Sequence, residues 1–199
     1  MKVVKLILMI AIILTISCKG IKEPSKSENT ISSLKTIEDK RTFLEQILKD
    51  DQLVRDSEKS YDLMVKYGNN SKEHLEYFKA QWRQDAINLQ KIEGYLKEFG
   101  YPKKNELGED AAITPWLVIH HASEIDERNR NFEFLYKAYL TEDIGDSAIT
   151  MYLSRTYQIS FSEEFEIEGA YQLEAEINQL IQKLGLEDRK MFIEKSMQN

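Results

Sequence analysis

The stretch "SKEHLEYFKAQWRQDAINLQKIEGYLKEFG", Ser71 to Gly100, decides the fold. Leu75, Phe78, Trp82, Leu89, Ile92, Leu96 and Phe99 recur in it at steps of three, four and seven. That is the period of one helix face, not the alternation of a strand. Ser71 is a capping residue at one end, and Gly100 with Pro102 stops the helix at the other. The seam predicts packing against neighbouring helices.

Flanking segments carry the same period. Thr36 is an N-cap candidate with Asp39 three residues on. Ile37, Leu44, Ile47, Leu48 and Val54 then predict a first helix running to about Tyr67, before "YGNNS". Beyond the central stretch, "TPW" predicts a helix with Thr114 as N-cap and Pro115 at its first position. Leu117, His121, Ile125, Phe132, Leu135 and Tyr139 continue one face of it. "EDIGDS" breaks the chain, and Ser147 to about Tyr157 reads as helix. Residues 158–169 fit either an extended segment or a wrapping loop. Ala170 to Leu184 and Leu186 to Met197 close the chain as helices. With three prolines and eight glycines in 199 residues, long helices suit the composition. The expected fold is all-α, an irregular bundle of about five to six helices over residues 36–199.

The N-terminus is of another kind. "MKVVKLILMIAIILTIS" opens with Lys2 and Lys5, and its apolar core from Leu6 to Ile16 is interrupted only by Thr15. It reads as a secretory signal peptide, residues 1–17, too short for a confident membrane span. Its ending, Ile16, Ser17 and Cys18, resembles a bacterial lipobox, with Thr15 a permitted but less common residue in its place. That resemblance implies cleavage before Cys18 and acylation of its sulfur, palmitate included. Stable anchoring through such chains rests on roughly 0.8 kcal/mol per buried methylene. The alternative is an ordinary signal peptide with an incidental thiol, or an uncleaved anchor helix. Lys19, rather than an Asp, follows Cys18. That favours the outer membrane or cell surface over the inner membrane. Residues 18–35, rich in Lys, Ser, Glu and Asn, read as a flexible tether.

Cys18 is the single cysteine, so the mature domain folds without an internal disulfide. The net charge is −7, and removing residues 1–17 leaves 25 Lys+Arg against 34 Asp+Glu. An acidic exported domain disfavours nonspecific nucleic-acid binding, which rests on cationic contacts to phosphate. The expected partners are the membrane, through lipid on Cys18, and a protein or small molecule of unassigned identity.

Three places put polar residues where the helical period asks for apolar ones. In "DDQLVR", Asp51, Gln52 and Arg55 continue the face set by Leu44 and Leu48, and Asp51 and Arg55 are spaced to meet. A surface ion pair would have the same spacing. Asp85 falls on the seam between Trp82 and Leu89, with Asn88 one turn on. A carboxylate there is costly unless paired or wet. In "WLVIHHAS", His121 lies on the apolar face and His120 lies over Trp116 on the flank. His121 is either a satisfied structural histidine or a general base facing a pocket. His74 reads as a surface residue. Adjacent histidines point about 100° apart and rarely share one metal. The zincin spacing is absent, as are a Gly-rich phosphate loop and a G-x-S-x-G elbow. Neither a metal site nor a cofactor is expected. Tyr136, Tyr139, Tyr152 and Tyr157 read as core aromatics.

In this order the three places resemble a bacterial family known as domain of unknown function 6624. Asp51, Gln52 and Arg55 match its Asp-Gln-x-x-Arg-like segment, Asp85 and Asn88 its second helix, and "WLVIHHAS" its "WLIxQHAD"-like helix. His120 and Ser123 stand where that family usually has Gln and Asp. The resemblance covers roughly Glu45 to Arg155. It does not extend to the family's Gly-rich "YGTQ" ending after an Arg comparable to Arg155. It carries no established activity and implies only that Asp51, Arg55, Asp85 and His121 form one site; those four are the catalytic candidates, and Gln52, Asn88, Trp116 and His120 the candidate binding residues.

Two readings of function follow. One is a binding or scaffold lipoprotein at the cell envelope, whose polar cluster is a structural network. The other is a small-ligand or hydrolytic site, which requires the cluster to converge beside a cavity.

Overall fold

A computed structural model describes residues 30–169 and 171–198. The signal peptide, Cys18 and the tether up to residue 29 lie outside the described residues. Those described form an all-α bundle without strands. In chain order the helices are α1 (Ile37–Leu53), α2 (Ser57–Tyr67), α3 (Lys72–Phe99), α4 (Lys104–Leu107), α5 (Glu109–His121), α6 (Ile125–Leu140), α7 (Asp146–Phe161), α8 (Leu173–Lys183) and α9 (Glu187–Met197). Among the described residues these outnumber the five or six expected, because two expected helices are each broken and the short α4 was not expected. None of them is long and apolar enough to cross a membrane.

The long helix α3 forms as its sequence dictates. Ser71 Oγ accepts from the His74 amide at 3.2 Å, and the chain leaves at Gly100 with φ 74°. A left-handed residue there lets the backbone turn away without a Cβ penalty. Only the second half of α3 is core, however. Leu89, Ile92, Tyr95 and Leu96 are buried, whereas Leu75 is 41% and Trp82 59% exposed. The periodic face extends beyond the helices that cover it.

The expected first helix is broken. α1 starts on a capping box: Thr36 Oγ1 accepts from the Asp39 amide at 3.0 Å, and Asp39 Oδ2 accepts from the Thr36 amide at 2.9 Å. It ends at Leu53, and Asp56 caps a new helix by accepting from the Lys59 amide at 2.9 Å. α3 satisfies the carbonyls exposed by the break. Gln81 Nε2 donates to Val54 O at 2.8 Å, and Tyr77 Oη donates to Asp56 O at 2.7 Å. The turned α2 lies only along α3 and buries none of its residues. His74, read as a surface residue, is buried at that junction. Its Nδ1 lies 2.7 Å from Asn69 O and its Nε2 3.2 Å from Ser60 Oγ.

α5 is the centre of the bundle and packs against α1, α3, α6 and α7. Its start corrects the expected cap. The helix begins at Glu109, after Gly108 with φ 88°, and Thr114 and Pro115 lie inside it. Buried Thr114 satisfies its own hydroxyl by donating to Asp110 O at 2.6 Å. α5 ends at His121, and α6 starts again at Ile125. Residues 158–169 resolve into the last turn of α7 and an irregular segment without strand. Gln179 pins that segment by exchanging two hydrogen bonds with the Glu168 backbone.

The domain also begins earlier than expected. Ile31 and Leu34, assigned to the tether, are buried against the bundle. Ile31 Cδ1 fills the space that a Cβ on Gly94 would need, which is why α3 carries a glycine at a position that otherwise disfavours one.

Candidate functional site

The two helix breaks place the site. α1 ends just after Asp51, α5 ends at His121, and α3 passes between them carrying Asp85. Asp51 is fully buried and is the hub. It accepts from Arg55 Nε and Nη2, both at 3.2 Å, and from Gln52 Nε2 at 2.9 Å. His121 Nδ1 lies 3.0 Å from Asp51 Oδ1. Arg55 Nη2 also donates to Asp85 Oδ1, so one guanidinium joins two carboxylates from different helices. The four residues of the expected cluster thus converge.

They converge beside a cavity of about 340 Å³. Arg55, Asp85 and His121 line it, together with Phe78, Trp82, Glu124, Glu127 and Arg155. Asp51 lies behind His121 and does not line it. The other expected residues sit apart from the cavity. Gln52 is exposed and serves only Asp51. Asn88 is buried, accepting from Gln84 Nε2 at 2.8 Å. Trp116 donates to Ala148 O at 2.6 Å and stacks on His120 with centroids 5.2 Å apart.

The environment separates the two carboxylates. Burial raises the Asp51 pKa, but hydrogen bonds from His121 and Arg55 outweigh it, leaving the group below its ordinary 3.8. For Asp85 burial wins over the attraction of Arg55 and His121, and the group lies above 3.8. A pair pushed apart in this way is the usual arrangement of an acid and a base. His120 is a different kind of residue from His121. Burial, then the charges of Arg128 and Arg155, lowers it to about 3, so its ring stays neutral.

Asp51, Asp85 and His121 each present one ligand atom, all within 4.8 Å of one another. A cation of the right size would bridge them. The Arg55 guanidinium already takes that role by bonding both carboxylates.

Two arginines outside the expected set shape the site. Arg128 is fully buried, with no carboxylate partner among the described residues. Its fork grips the end of α5, donating to Ile119 O at 3.2 Å, His120 O at 2.8 Å and Ala122 O at 3.1 Å. It also donates to Tyr152 O and Thr156 Oγ1, each at 2.8 Å. Helix ends leave carbonyls unsatisfied, and here a buried cation from the next helix takes them up. The sequence carried the signal: Arg128 lies between Ile125 and Phe132 on the apolar face, as Asp85 does on its own helix. Arg155, one turn past Met151 on α7, is exposed on the cavity wall. It makes no ion pair or hydrogen bond with a described residue.

Comparison with protein-family models, curated proteins and solved structures finds no match to this chain.

Proposed function

We propose that this chain is an exported lipoprotein, anchored to a bacterial envelope membrane through Cys18. Its helical domain binds a small ligand in the cavity and carries the groups for general-base hydrolysis of it. One observation supports the reading above the others: buried Asp51 holds His121 Nδ1 at 3.0 Å while His121 itself lines the cavity.

The chemistry follows from that geometry. An ionised Asp51 takes the Nδ1 proton in a hydrogen bond and leaves Nε2 as the acceptor. A water at Nε2 gives up a proton to it as its oxygen attacks an ester or phosphoester centre. The bond to the leaving group breaks, and that group takes its proton from the His121 imidazolium, which restores the base. Arg55 balances the charge of both carboxylates. The resemblance to domain of unknown function 6624 points to the same four residues.

A screen of chromogenic esters, phosphoesters and amino-acid anilides on the full chain tests the reading, beside a thermal-shift ligand library. His121→Ala abolishes the response to whichever class is bound, and turnover falls by about 10²–10⁴, the range of one general base. An unchanged response in His121→Ala refutes the reading. The anchor is tested separately by palmitate labelling, which Cys18→Ser eliminates.

A scaffold role is favoured by one different observation. α2 leaves Tyr61 and Val65 more than half exposed, an apolar face of the kind that marks interaction surfaces. Polar replacement of both would then abolish partner capture without touching His121-dependent activity.

A further inference from the structure

We propose that the cavity selects a small zwitterion with an apolar body, of the class of an apolar amino acid. This rests on the cavity being the ligand site.

The charges on its walls carry the inference. Arg155 and Glu124 line the same cavity. No ion pair joins them, so their charged atoms stand more than 4.0 Å apart. Arg155 has no partner of either kind among the described residues. Glu124 has only the Ser123 hydroxyl, at a long 3.5 Å. Arg55, the other cavity arginine, is by contrast saturated by Asp51 and Asp85. Among the described residues the cavity wall therefore offers a cation without a partner, Arg155, and a carboxylate held only by a hydroxyl, Glu124, and a ligand carrying both opposite charges satisfies both.

The same cavity has an apolar wall. Phe78 and Trp82 stack with centroids 6.4 Å apart, and Ala86 and Leu89 complete the surface. Trp82 is exposed for want of a covering helix, which leaves its face to a ligand side chain. Exposed ion pairs are weak, but a ligand body that excludes water raises their strength. A polyanion fits poorly, because Asp85, Glu124 and Glu127 also face the space. Glu127 is partly engaged by Arg130, at 4.0 Å, which leaves Glu124 as the acid for an ammonium group.

Calorimetric titration of the full chain with three matched probes tests the proposal. Phenylalanine has both charges, N-acetylphenylalanine only the carboxylate, and phenylalaninamide only the ammonium. Phenylalanine binds about tenfold or more tightly than either analogue, a difference of about 1.4 kcal/mol. Arg155→Gln weakens phenylalanine and N-acetylphenylalanine but leaves phenylalaninamide unchanged, whereas Glu124→Gln weakens phenylalanine and phenylalaninamide but leaves N-acetylphenylalanine unchanged. Both side chains are solvent-exposed, so neither change threatens folding. Equal affinity for all three probes overturns the proposal, as does phenylalanine binding untouched by Arg155→Gln. If none of the three binds while another ligand gives a His121-dependent response, the zwitterion proposal falls and the cavity reading stands. If nothing binds in a His121-dependent manner, both fall.

Discussion

Replacing Arg128 by Met tests how the end of α5 is held. Met fills the space of the arginine stem but offers no donors. Of the five acceptors, Ile119 O keeps the Ala122 amide at 3.2 Å and Tyr152 O keeps the Thr156 hydroxyl at 2.7 Å. His120 O and Ala122 O have no other donor among the described residues. An unsatisfied buried carbonyl costs about 1–3 kcal/mol, which gives about 2–6 kcal/mol for the two. Burial lowers the Arg128 pKa to about 10, so losing that charge offsets part of the cost. The net expectation is therefore about 2–3 kcal/mol, or a Tm lower by about 4–12 °C for a domain of this size. Urea denaturation followed by circular dichroism measures the stability, and amide exchange at residues 122–124 measures the turn itself. Arg128→Met within about 0.5 kcal/mol of wild type, with unchanged exchange there, would refute the reasoning.

Three further expectations follow from the same geometry. Asp51→Ala strands Arg55 and His121 and costs about 3 kcal/mol, the lower end for breaking a buried pair, since Arg55 keeps Asp85; a loss under 1 kcal/mol in denaturant melts counts against the hub role. Asp51 is held below 3.8 in the fold, so its stabilisation is complete above that pH and is lost as pH falls through the lower folded value. His120 acts over a higher window. Between pH 6.5 and about 3 the unfolded chain binds a proton that the folded one refuses, so stability falls on acidification by at most about 1.4 kcal/mol per pH unit. His120→Phe flattens that slope in melts from pH 7 to 4, and an unchanged slope speaks against it. Gly94→Ala gains helix propensity of about 1 kcal/mol but displaces Ile31. Protease sensitivity near residues 30–34 therefore rises while global stability changes little, and an unaltered cleavage rate contradicts the packing described.

Much of this was legible because helical periodicity makes exceptions visible. Asp51, Asp85 and His121 each interrupt an apolar face, and each proved to be a member of one cluster. Arg128 interrupts a face in the same way, but the pattern does not say that its partners are carbonyls of the preceding helix. The breaks at 54–56 and 122–124 were not legible. They are held by Gln81 and Arg128, side chains distant from the residues that turn. Nor does periodicity say where a covering helix stops: Trp82 and Ile92 fit one seam equally, yet only Ile92 is covered. Thr114 and Pro115 show a further limit. A sound start signal proved false because α5 had already begun at Glu109, six residues before Pro115.

The wedging of Ile31 against Gly94 sets the height at which the body can ride. If lipid on Cys18 holds the chain, the twelve peptide steps to Thr30 reach about 40 Å at full stretch, and beyond that point Ile31 packs near the C-terminal end of α3. A body anchored in that way would stay within that reach of the headgroups.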